Sequence, residues 1–127
     1  YNGAVGATYA CPLVLSGTIP DEGNGYGAVW FGVPQDGLQN GDPDGLAFVT
    51  TGGVVLEFIS YEGTFTATNG PAMGMTSVDI GVREQSSTTV GQSLQREGTG
   101  SRAEDFTWAT PAPASPGLLN PNQTVPF

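Results

Sequence analysis

The run D-G-L-Q-N-G-D-P-D-G, which begins at Asp36, gathers the residues best suited to chemistry. Asp36, Asn40, Asp42 and Asp44 place carboxylate and amide oxygens on a glycine-rich loop, and these are the hard donors that calcium takes. The spacing is not that of an EF-hand loop, and the bidentate glutamate is missing. Turn chemistry alone accounts for the same composition, because Asp, Asn, Gly and Pro are turn formers. The expectation is therefore a chain without a resident cofactor, with calcium at this loop as the one candidate. Glu57, Glu62 and Asp105 lie on or beside predicted strands. Two carboxylates suffice for glycoside hydrolysis, but nothing in the spacing sets any two of these across a cleft, so they read as solvated surface acids.

Histidine is absent, which removes Ser/His/Asp and Cys/His catalysis. A zinc site would also lack its second cysteine. Cys11 stands alone before Pro12 in an apolar stretch and reads as a small buried hydrophobe with no intrachain disulfide partner. Gly23-Asn24-Gly25 carries no phosphate-loop meaning, since no helix is expected after it. The chain is predicted not to be an enzyme.

The formal charge is −9, from twelve acids against Arg83, Arg96 and Arg102. Three dispersed arginines cannot replace the counterions of a nucleic acid, and the acidic field repels DNA and anionic membranes. Acidity of this kind serves solubility. No apolar run approaches the ~20 residues of a membrane span, and no charged segment with an apolar core reads as a signal peptide. With 127 residues, 38% of them hydrophobic, the chain fits one domain with one modest core.

The elements that must position these residues are short and apolar, and glycine-rich turns separate them. Val5 to Leu15 reads as an edge or bulged strand interrupted by Pro12. Tyr26 to Val33 reads as a second strand. Leu46–Thr50 and Val54–Tyr61 about Thr51-Gly52-Gly53 form the clearest hairpin. In its second arm Val54, Leu56, Phe58 and Ser60 alternate with Val55, Glu57, Ile59 and Tyr61. Both faces are largely apolar, so a central strand covered on both sides is expected. Thr64 to Met75 reads as polar and irregular. Further strands are predicted at Val78–Val82, at Gln92–Arg96 with Leu94 inward, and at Phe106–Ala109. The proline-rich tail 110–127 should be extended. Helix should be nearly absent, because no window has a helical apolar period. Tyr26, Trp30, Tyr61 and Trp108 are the large side chains whose simplest role is core packing.

The segments D-G-L-A-F-V, V-V-L-E-F-I-S-Y-E-G, G-M-T-S-V-D-I-G-V, V-G-Q-S-L-Q-R, D-F-T-W and S-P-G-x-x-N resemble the lamin tail domain of secreted bacterial proteins over roughly Leu15 to Phe127. The resemblance implies an all-β, immunoglobulin-like sandwich over residues 1–127. It also implies an extracellular or cell-surface location and a non-catalytic interaction or structural role, with no catalytic residue carried over. The opening I-N-E strand and the acidic strand that such domains carry before the region matching Tyr1 have no counterpart here, so a sandwich incomplete on its N-terminal side is expected. An unpaired sheet edge would then seek a partner. That partner is expected to be a second copy, building a homo-oligomer or filament, or a strand-complementing polypeptide. The alternative is an accessory domain or processed fragment of a secreted nuclease or phosphatase.

Overall fold

A computed structural model describes residues 1–9, 12–34 and 37–126. The chain is all-β. Its strands are β1 (Asp44–Val49), β2 (Val55–Tyr61), β3 (Val78–Asp79), β4 (Gln92–Thr99), β5 (Phe106–Pro113) and β6 (Gln123–Thr124), with a single 3-10 turn at Ala103–Asp105 among the described residues. They form two sheets of three strands, ordered β1-β2-β3 and β5-β4-β6. The chain divides into two compact units. One comprises Tyr1–Leu13 and Val33–Gly81, and the other Val14–Gly32 and Val82–Phe127. No helix among the described residues is long and apolar enough to cross a membrane.

In the first unit the predicted hairpin forms, with β1 antiparallel to β2. Its turn closes through the Gly53 N–H to the Thr50 carbonyl (2.9 Å), while the Thr50 hydroxyl accepts the Val54 N–H at 3.0 Å. Gly53 sits at φ +83°, which explains a glycine there. β2 is the central strand, but strict alternation along it fails. The register runs from Phe48↔Glu57 to Val49↔Val55, so Leu56 is an extra, bulged residue. The bulge turns Val55 toward the core beside Phe58 and leaves Leu56 60% exposed. The expectation of a strand covered on both faces is corrected accordingly.

The core of this unit consists of Phe58, Phe65, Ala67 and Ala72, with Tyr1, Ala47 and Val55 packed against it. Phe58 and Phe65 meet edge to face, 5.4 Å between ring centres, and Tyr1 lies 5.2 Å from Phe58. The stretch expected to be irregular supplies three of these four core residues, Phe65, Ala67 and Ala72. Ala67 and Met75 are joined through the Ala67 N–H (3.0 Å), Ser77 donates its N–H to Phe65 (2.9 Å), and Thr66 and Thr76 share a hydroxyl hydrogen bond. Buried beneath, the Ser77 hydroxyl donates to Ser60 Oγ at 2.7 Å and accepts the Phe65 N–H at 3.0 Å.

Val5–Leu15 does not form the expected strand where it is described. Asn2 accepts the Gly6 N–H (2.8 Å), Gly6 takes φ +68°, and the chain curls into a turn that bridges Asn2 to Ala7. Tyr26–Val33 is likewise not a strand. The Glu22 carboxylate takes the Ala28 N–H at 2.8 Å, a ladder donor the strand would have needed.

In the second unit β4 pairs antiparallel with β5 and parallel with β6. Pro111 and Pro113 lie in β5, which is an edge strand as proline requires. Between Ser93↔Ala112 and Gln95↔Ala109 the register shifts by one, so Thr110 and Pro111 of β5 lie opposite the single residue Leu94, which is half-buried. Gln95 is the residue that turns inward, and its amide donates to the Pro113 carbonyl at 2.7 Å. The Arg96 guanidinium lies over the Trp108 ring, 4.9 Å from its centre.

The bulge makes two nearby apolar residues energetically unlike. Phe58→Ala should lower stability by about 3–5 kcal/mol, whereas Leu56→Ala should stay within about 0.5 kcal/mol. Thermal or urea melts of the two variants check this, and equal losses would restore the strictly alternating strand.

Candidate functional site

Loop 38–44 borders a shallow depression of about 560 Å³ shared with Asn2 and Ala4. The loop is pinned at Gln39. Its N–H donates to the Tyr9 hydroxyl (3.0 Å), and its carbonyl accepts the Tyr61 hydroxyl. Asn40 and Asp42 are exposed, and Asp42 precedes Pro43 through a cis peptide bond. Asp44, which opens β1, is turned inward and only 2% exposed. Its Oδ1 accepts the Gly3 N–H at 3.0 Å and its Oδ2 the Gly41 N–H at 2.6 Å. Asp36, like Cys11, lies outside the described residues. Among the described residues no group of three or more His, Cys, Asp or Glu side chains is disposed to hold a metal ion. The loop thus brings Asn40, Asp42 and Asp44 close in sequence, but Asp44 spends both oxygens on backbone amides.

Tyr1 joins this loop to the sheet. Its amino nitrogen donates to the Gly45 carbonyl at 2.9 Å, and the Gly45 N–H returns a bond to the Tyr1 carbonyl at 3.2 Å. Burial holds that amino group below its ordinary value, and the nearby Asp44 charge opposes the shift.

The other acids singled out by type have different surroundings. Asp105 accepts the N–H groups of Ser101 and Arg102, both at 2.9 Å, and so closes the 3-10 turn. Glu57 faces Phe48 across the β1–β2 pair, and Glu62 follows β2 in the left-handed region at φ +63°.

The large aromatics do not fill the core as their size suggests. Trp30 is 65% exposed and Tyr26 39%, while Tyr61 and Trp108 are half-buried. Exposed apolar residues also mark the first sheet. Leu46 and Phe48 on β1 and Val78 on β3 all stand out to solvent. Register places Leu46, Ile59 and Val78 in one row across the three strands. The edge of β1 is open beyond its first two residues. Tyr1 and Asn2 cover Asp44 and Gly45, and no strand among the described residues pairs with the outer side of Leu46–Val49. Antiparallel hydrogen bonding alternates sides along a strand. Gly45 bonds outward, so Ala47 also presents its N–H and C=O outward.

No protein-family model, curated protein or solved structure matches the chain.

Two measurements test the role given to Asp44. Asp44→Ala should cost about 1–3 kcal/mol for each N–H left without its acceptor, read as a lowered urea midpoint. Calcium at millimolar level should leave the melting temperature equal to that in chelator, since a ligand of the folded state would raise it.

Proposed function

We propose that this chain is a non-catalytic, extracellular interaction or structural module with an immunoglobulin-like sandwich of the lamin-tail kind. It associates with copies of itself through the edge of β1. The observation that carries this reading is the open outer side of Leu46–Val49, flanked by exposed Leu46 and Phe48. An unpaired edge is a template for another strand, and strand addition supplies main-chain hydrogen bonds while side-chain contacts set specificity. Leu-Ala-Phe-Val holds no lysine, no proline and no inward charge, which are among the devices that keep natural edges apart. The lack of histidine and lysine supports the non-catalytic part, since the usual general bases and nucleophile activators are missing.

Two copies at −9 each repel one another, and salt screens that repulsion. Self-association measured by sedimentation should therefore rise with protein concentration and strengthen between low and physiological salt. The paired substitution Leu46→Lys with Phe48→Lys should weaken association about tenfold or more while leaving the circular dichroism spectrum unchanged, as charges on natural edges do. A chain that stays monomeric at every concentration and salt level would refute edge association.

A further inference from the structure

Asparagine followed by glycine occurs four times, at Asn2-Gly3, Asn24-Gly25, Asn40-Gly41 and Asn69-Gly70. Such steps can cyclise, because glycine offers no side chain to hinder attack of its nitrogen on the asparagine amide. In three of them that nitrogen is tied down. The Gly3 N–H donates to Asp44 Oδ1 (3.0 Å), the Gly41 N–H to Asp44 Oδ2 (2.6 Å) and the Gly25 N–H to Asp21 Oδ1 (3.0 Å). A hydrogen bond to a carboxylate holds the proton that the nitrogen must lose and fixes the nitrogen away from attack. The Gly70 N–H has no such partner among the described residues.

The amide at Asn69 is also set up to react. Its Oδ1 accepts the Thr8 N–H at 2.9 Å and the Thr8 hydroxyl at 3.3 Å. Two donors on that oxygen stabilise the negative charge that develops there when Cγ is attacked. Both Asn69 and Gly70 are exposed, so water has access. The fold itself retains the glycine. Gly70 takes φ +67°, and a Cβ there would stand 2.6 Å from the Tyr1 hydroxyl.

We propose that Asn69 is a site of spontaneous backbone modification in the folded protein. The Gly70 nitrogen bonds to Asn69 Cγ and gives up its proton, the Cγ–Nδ2 bond breaks, and ammonia leaves with that proton. A five-membered succinimide remains. Water then opens either of its carbonyls, giving aspartate or isoaspartate. The isoaspartyl form lengthens the main chain between Thr68 and Gly70. The Thr68 N–H there donates to the Gly6 carbonyl at 2.8 Å, so the product loosens the opening segment from the first unit's core.

Incubation of the folded chain in mildly alkaline buffer, followed by peptide mapping that separates aspartate from isoaspartate, tests this. Conversion at Asn69 should run about tenfold or more ahead of Asn2, Asn24 and Asn40, the size of effect that one hydrogen bond to a charged group has on a barrier. In denaturant the four rates should converge. Asp21→Ala, in an exposed loop, should accelerate Asn24 alone, and Asn69→Gln should abolish conversion at that position without altering the circular dichroism spectrum. A folded chain in which Asn69 converts no faster than the other three, or an Asp21→Ala chain in which Asn24 is unchanged, would overturn the proposal.

Discussion

A chain with almost no helix and many glycine turns leaves backbone N–H groups that no ladder satisfies, and each one buried without an acceptor is costly. Carboxylates meet that demand here. Asp44 holds Gly3 and Gly41, Asp21 holds Gly23 and Gly25, and Glu22 bridges Ala28 and Leu119. Asp79 holds Gly81, and Asp105 holds Ser101 and Arg102. The acidity of the chain is thus partly structural, since a carboxylate accepts several N–H bonds and is a stronger acceptor than a neutral group. Asp44 is the most consequential of these. It starts β1, fixes loop 38–44 from one side and the opening turn from the other, and lies beneath both.

That placement decides how much of the β1 edge remains open. With Asp44 holding Gly3, the opening segment runs beside Asp44 and Gly45 and then turns away through Gly6. Leu46–Val49 keeps an unfilled outer side. The proposed association through this edge and the proposed reactivity of Asn69 share this origin. The turn that leaves β1 uncovered also carries Thr8 to the Asn69 amide.

Much of the local structure was legible in the residues. The Gly-Gly hairpin, the strands near Val78, Gln92 and Phe106, and the scarcity of helix follow from β-branched and aromatic runs between glycines. The bulges were not legible, because Leu56 in β2 fits an alternating pattern as well as its neighbours do, and the extra residue of β5 opposite Leu94 shows only in the register. The core contribution of Phe65 and Ala67 did have a signal. Thr64-Phe65-Thr66-Ala67-Thr68 alternates with period two, but short threonine-rich runs look polar as a whole. The strands expected at Val5 and Tyr26 were lost to interactions distant from those runs or carried by neighbouring acids, such as Glu22 on Ala28. For the acidic loop, composition pointed equally to turn and to cation. Burial of Asp44 against two backbone amides is a tertiary fact that spacing does not encode.

Amide hydrogen exchange read residue by residue along β1 tests the central claim most directly. In dilute protein the Gly45 amide, bonded to Tyr1, should be protected, and the Ala47 amide, facing the open side, should exchange at nearly the rate of an unstructured chain. Protection at Ala47 should then appear as the concentration rises and the edge is filled by a second copy. An Ala47 amide already protected in the dilute monomer would show that the edge is closed within the chain and would contradict the account.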